Sequence, residues 1–172
     1  MKAIKISGVC LSLFFLCLTG EAAWTTKRLT YNSGASCNPH VAANGSDIYM
    51  VWSDDTPGNG EIYFRKSVNG GVTWQSANKL TNTTGASNWA DIAVYGANVY
   101  VVWADNSIWW YDIFLKKSAN RGSDWQSTMY LTKNDGSSLY PTVAVNDTKI
   151  YITYQDDAPG NNEIFLKYSP LL

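Results

Sequence analysis

Val51 to Trp74 reads VWSDDTPGNGEIYFRKSVNGGVTW, and it decides the fold because the rest of the chain copies it. Trp52, Trp103 and Tyr154 are evenly spaced (103 − 52 = 154 − 103 = 51), and Leu29, Leu80 and Leu131 keep the same step. So do Ser67, Ser118 and Ser169. A fixed period of this length marks a repeat architecture.

Aligned by that step, each copy holds the same strand-like runs separated by Gly, Asn, Asp and Pro clusters. The A runs start at His40, Asp91 and Thr142 and are small and apolar, as suits innermost strands. The B runs start at Ile48, Val99 and Ile150 and are apolar nearly throughout, which predicts burial on both faces. The C runs start at Glu61, Asp112 and Glu163, mix apolar with basic residues and should be more exposed. Asn69-Gly70-Gly71 and Asn120-Arg121-Gly122 suit hairpins into polar D runs from Thr73 and Asp124. The chain after residue 22 opens with a D run, Trp24 to Thr30, and the third copy stops after C, so the order is D, ABCD, ABCD, ABC. This predicts an all-β, β-propeller fold with three blades of four-stranded antiparallel sheet, the first segment supplying an outer strand to a C-terminal blade. Trp24, Trp52, Trp74, Trp103 and Trp125 recur with the repeat and read as core.

Residues 1–22 read as a secretory signal, with Lys2 and Lys5 before an apolar run from Val9 to Leu18 and small residues at Gly20 and Ala22. The expected product is one repeat domain, 23–172, that is secreted or periplasmic, with no membrane span. The formal charge of −1, with both signs mixed along the chain, gives no nucleic-acid footprint. Cys10 and Cys17 fall in the signal, so Cys37 has no partner for an intrachain disulfide and is expected to be buried.

At SVNGGVTW the chain resembles the Asp-box, or BNR repeat, of sialidase-like β-propellers, with Asn69 in place of the aspartate. SANRGSDW keeps Ser118, Gly122 and Trp125. The resemblance implies that this hairpin shapes the blade and that ligands meet the opposite face, built from D–A and B–C loops. The B–C loops are DDTPGNGE from Asp54, DNSIWWYD from Asp105 and DDAPGNNE from Asp156. Trp109, Trp110 and Tyr111 stand where the sister loops have turn residues, so they are candidate stacking platforms for a sugar ring, with Trp89 and Tyr140 at the D–A corners. The alternative is that they seal a blade junction or a dimer seam.

Asp54 and Asp156 are candidate ligand-binding carboxylates, against the alternative that an aspartate before Pro-Gly simply caps a turn. No cofactor, metal ligand set or catalytic residue is predicted. His40 is the only histidine. The family's sialidase activity needs three arginines on one carboxylate, a Tyr/Glu nucleophilic pair and an Asp acid/base, whereas Arg28, Arg65 and Arg121 occupy three different repeat positions. The expectation is a non-catalytic, glycan-binding propeller, with a sialidase-like glycosidase or a purely structural propeller as alternatives. Three blades fall short of the roughly 4–8 of closed propellers, so a homodimer with six blades is expected, the alternative being a truncated member or fragment of a larger propeller.

Overall fold

The computed structural model describes residues 23–171, and the expected signal segment with Cys10 and Cys17 lies outside them. Three antiparallel meanders follow one another, making three blades of a β-propeller. Blade 1 is β1 (Ser36–Asn44), β2 (Asp47–Asp54), β3 (Glu61–Ser67) and β4 (Asn78–Lys79), paired in that order. Blade 2 repeats it with β5 (Ser87–Tyr95), β6 (Asn98–Asp105), β7 (Asp112–Ser118) and β8 (Met129–Tyr130). Blade 3 has β9 (Ser138–Val145), β10 (Lys149–Asp156) and β11 (Glu163–Pro170).

The A strands start earlier than the sequence predicts, at Ser36, Ser87 and Ser138, and each runs through a register break before its apolar part. Within that break Asn38, Trp89 and Tyr140 take positive φ values of 50°, 52° and 50°. The backbone is therefore left-handed at one repeat position, although two of its three side chains are bulky and disfavour that state. Consecutive A strands are tied through Asp91, whose carboxylate meets His40 Nδ1 at 2.9 Å and accepts the Val143 N–H at 2.8 Å.

The D runs pair less than expected, over only two residues in β4 and β8. Outside those pairs each run touches its C strand through single bonds, Gln75 to Lys66 O and Gln126 to Lys117 O, and its first residue closes the hairpin before it. Ser67 Oγ accepts the Gly71 N–H at 2.9 Å, and Asn69 Oδ1 accepts the Thr73 N–H at 2.9 Å. Ser118 and Asn120 make the same bonds to Gly122 and Asp124, so the amide does the work expected of an aspartate there.

Two cores form, one at each junction between blades. Tyr49, Val51, Ile62 and Phe64 of blade 1 meet Ile92, Val99, Val101 and Trp103 of blade 2. Tyr100, Val102, Ile113 and Leu115 of blade 2 meet Ile150, Ile152 and Tyr154 of blade 3. The middle B strand, β6, is thus buried on both faces, while β10 alternates because only one of its faces is covered.

The C strands β3 and β7 correct the expectation of exposure: both are largely buried. Their lysines lay the stem along the blade and bond at the tip, Lys66 Nζ donating to Arg121 O at 2.8 Å and Ser123 Oγ at 2.9 Å. β11 is exposed along nearly its whole length.

Trp52 and Trp103 are core as predicted, and Trp74 and Trp125 are half-buried. Trp24 is not core; it is 98% exposed. The segment from Trp24 to Thr30 has no strand partner among the described residues, because the C strand it would pair with is not in the blade beside it. Cys37 is exposed, contrary to expectation, because the uncovered side of β1 carries it. No helix among the described residues is long and apolar enough to cross a membrane.

Candidate ligand face

The loops that meet at one end of the blades are held together by a bracket repeated three times. Each B strand ends in an aspartate: Asp54, Asp105 and Asp156. Each accepts the hydroxyl of the serine that opens the A strand, at 2.7 Å for Ser36 to Asp54 and 2.5 Å for Ser138 to Asp156. Each also accepts a side chain from the preceding D–A connection, namely Asn32, Thr83 or Asn134. Finally, each caps the N–H two residues on, at 3.0 Å for Thr56, 2.8 Å for Ser107 and 2.9 Å for Ala158.

A second bracket lies beside the first. Asp55, Asn106 and Asp157 accept the N–H groups of Ala35, Ala86 and Ser137 at 2.6, 2.7 and 2.6 Å. Asn106 does this without a charge, which makes the second acid of each pair a turn former rather than a source of field. Gly34, Gly85 and Gly136 lie against these side chains and the next backbone; a Cβ on any of them would come within 2.5 Å of a neighbouring atom.

Asp54 is filled. Thr56, Asn32, Ser36 and the Trp52 indole supply five hydrogen bonds to its two oxygens, and it is buried. A carboxylate has about four lone-pair sites, so none is left for a ligand. Asp156 is likewise buried and bonded by Ser138, Asn134 and Ala158. This geometry gives both carboxylates a structural role in holding the loops, with Asp54 saturated and Asp156 accepting three bonds.

Burial pushes the Asp54 carboxyl up, but the bonds from Thr56, Ser36 and Trp52 outweigh it and hold it down at about 2. Asp156 is lowered for the same kind of reason. A depressed carboxyl stabilises the fold above its ordinary value and loses that effect as pH falls toward its folded value. The urea midpoint should therefore be flat above about pH 5 and drop between about pH 4 and 2, with about 2 kcal/mol lost through Asp54. Asp54→Asn should flatten that fall, and an unchanged acid profile in the variant would separate Asp54 from it.

The aromatic candidates divide into two groups. Trp89, Tyr111 and Tyr140 come together, with the Trp89 ring centroid 5.1 Å from Tyr111 and 4.9 Å from Tyr140. Two of them, Trp89 and Tyr140, sit on the left-handed corners. Tyr140 remains half exposed, whereas Trp89 and Tyr111 also pack against the core between blades 2 and 3.

Trp109 and Trp110 turn the other way. With Ile108 they line an open cleft of about 400 Å³, faced across by Lys133, Asn134 and Asp135 of the next D–A connection. Trp109 is 88% exposed and Trp110 54%. An apolar wall with a few polar groups opposite is the usual composition of a small-ligand site.

The arginines are not brought together. Arg28 lies over the Tyr31 ring, Arg65 donates to the Leu29 and Gln75 carbonyls, and Arg121 lies 3.7 Å from Asp47 at the hairpin end. Among the described residues, no three His, Cys, Asp or Glu side chains form a group that could hold a metal ion. The brackets were missed in the sequence, although their signal was there: Gly34, Gly85 and Gly136, and Ser36, Ser87 and Ser138, recur at the repeat spacing.

The architecture defines the class: this is a β-propeller of four-stranded antiparallel blades, and solved propeller glycosidases share its fold. A family 117 glycoside hydrolase of the marine bacterium Zobellia galactanivorans superposes with a TM-score of 0.60 at 12% identity, over 83% of this chain and 56% of that one. A family 43 glycoside hydrolase of Bacillus licheniformis gives 0.52 at 16% identity, over 81% and 32%. A Trypanosoma rangeli sialidase, solved with 2,3-difluorosialic acid, gives 0.50 at 12% identity, over 80% and 31%. The chain thus spans between about a third and somewhat over half of these proteins. No protein-family model and no curated protein matches the sequence.

Proposed function

We propose that this propeller is a non-catalytic glycan-binding module whose ligand face is formed by the B–C and D–A loops of blades 2 and 3. One observation carries the reading. The second B–C loop keeps the bracket residues Asp105 and Ser107 but gives its remaining positions to Ile108, Trp109, Trp110 and Tyr111. The bracket alone builds the loop, as the sister loops demonstrate, so the added aromatic surface is not needed to fold it. Trp109 and Trp110 offer indole faces for sugar rings, Lys133 and Asp135 offer polar partners across the cleft, and Trp89 with Tyr140 forms a second platform toward the centre.

A glycan array comparing wild type with Trp109→Ala plus Trp110→Ala checks this. Losing two exposed stacking surfaces should weaken binding at least 10-fold at unchanged stability. Equal binding by both proteins would take those residues out of the site. The second reading, a sialidase-like glycosidase, draws on the sialidase superposition. Turnover of a fluorogenic sialoside by the wild-type protein would favour it, and binding without turnover would favour the module.

A further inference from the structure

The two internal blade junctions are templates for a third that is open among the described residues. At the end of blade 1, Leu80 N–H donates to Ile62 O at 2.7 Å, Ile62 N–H donates to Thr81 Oγ1 at 2.8 Å, and Thr81 Oγ1 donates to the Glu61 carboxylate. Ser87 N–H then donates to Gly60 O at 2.7 Å. Blade 2 repeats all four: Leu131 to Ile113 O, Ile113 to Thr132 Oγ1, Thr132 to Asp112, and Ser138 to Tyr111 O.

One repeat further on, the acceptor side exists as Asn162, Glu163 and Ile164. One repeat back, the donor side exists as Leu29, Thr30 and Ser36. The donor segment already holds half of its junction pose. Arg65 bonds Leu29 O as Lys116 bonds Leu80 O, and Asn32 and Ser36 are bracketed to Asp54 as Thr83 and Ser87 are to Asp105. Its other half, the C strand behind it, is missing among the described residues.

Exposure gives the same answer independently. Ile62 and Ile113 are both 0% exposed, but Ile164 is 77% exposed. Phe64 and Leu115 are 3% and 1% exposed, but Leu166 is 57% exposed. On the opposite flank of the array, Val41 is 68% exposed where its repeat equivalent Ile92 is 5%. The outer side of blade 3 is therefore the kind of surface that is covered on blades 1 and 2, and the outer side of blade 1 is the kind that covers it.

We infer that the occupant of the blade 3 face is the Leu29–Ser36 segment and blade 1 of a second copy of this chain. Leu29 bonds Ile164 O, Thr30 bridges the Ile164 N–H and the Glu163 carboxylate, and Ser36 bonds Asn162 O. The contact is head-to-tail, so two copies of three blades close into one six-bladed ring with every blade face covered.

Sedimentation velocity on the full chain at micromolar concentration tests this. The expected result is a single species of twice the chain mass. Leu166→Glu places a charge where the copies meet but touches no core of the single chain. It should raise the dimer dissociation constant about 100-fold or more, with an unchanged far-UV circular dichroism spectrum. Thr30→Val lies outside every strand and cannot unfold a blade, and it should weaken the dimer about 10-fold. A wild-type monomer would overturn the inference, whether blade 3 is then covered by the chain's own first segment or left open. So would an open series of larger species, or a Thr30→Val protein that dimerises as tightly as wild type.

Discussion

Asp54→Ala is expected to lower stability by about 4 kcal/mol, a large part of the roughly 5–15 kcal/mol that holds a domain together. Removing the carboxylate frees five hydrogen bonds, but not all of them are lost equally. Asn32, Ser36 and the Thr56 hydroxyl belong to exposed residues and can turn toward water. The buried Trp52 indole N–H cannot, and the part-buried Thr56 N–H does so only in part; a buried donor without an acceptor costs about 1–3 kcal/mol. The contrast is Asp55→Asn, which should change stability by less than about 0.5 kcal/mol, since Asn106 fills that place in blade 2. Urea unfolding of the two variants gives the comparison. Similar midpoints for both would mean that the bracket does not tie the loops together.

Gly122→Ala is expected to cost about 3 kcal/mol. The residue has φ +72°, which an L side chain adopts only with strain. A Cβ there would also lie 2.4 Å from Phe64 Cζ, so the Phe64 ring must move. That ring sits edge-on to Trp125 with centroids 5.0 Å apart and closes the core between blades 1 and 2. Its repeat equivalent Gly71 has φ +83° but only Ile48 Cδ1 nearby, at 3.5 Å. Gly71→Ala should show backbone strain alone, about 1 kcal/mol. Equal unfolding midpoints for the two variants would show that crowding at Phe64 is not the larger effect.

The repeat made the blades legible in the sequence. Trp52, Trp103 and Tyr154 mark the B strands, and each pairs across to an aromatic on its C strand: Tyr63, Phe114 and Phe165. The corners were less legible, because Asn38, Trp89 and Tyr140 have no glycine to signal a left-handed backbone. Burial of the C strands was hidden by Lys66 and Lys116, whose charges end on carbonyls of a neighbouring blade. The aromatic loop stood out because it broke the pattern, but the spatial split between Trp109–Trp110 and Tyr111 comes from a loop reversal that composition does not encode. Asp54 and Asp156 looked functional because acidic pairs before Pro-Gly are polar and repeated. Those same properties serve a bracket, and only the partners distinguish the two uses.

The left-handed corner at positions 38, 89 and 140 has a consequence for how this surface can diversify. Its backbone is dictated by the interlocks on either side, at a strain of about 1 kcal/mol for each bulky occupant, and not by the residue it carries. Asparagine, tryptophan and tyrosine occupy the same backbone position, each on its own blade. A residue at the Asn38 corner can then be exchanged with no strand shifted, whereas the Trp89 and Tyr140 rings, 4.9 Å apart, change as a pair.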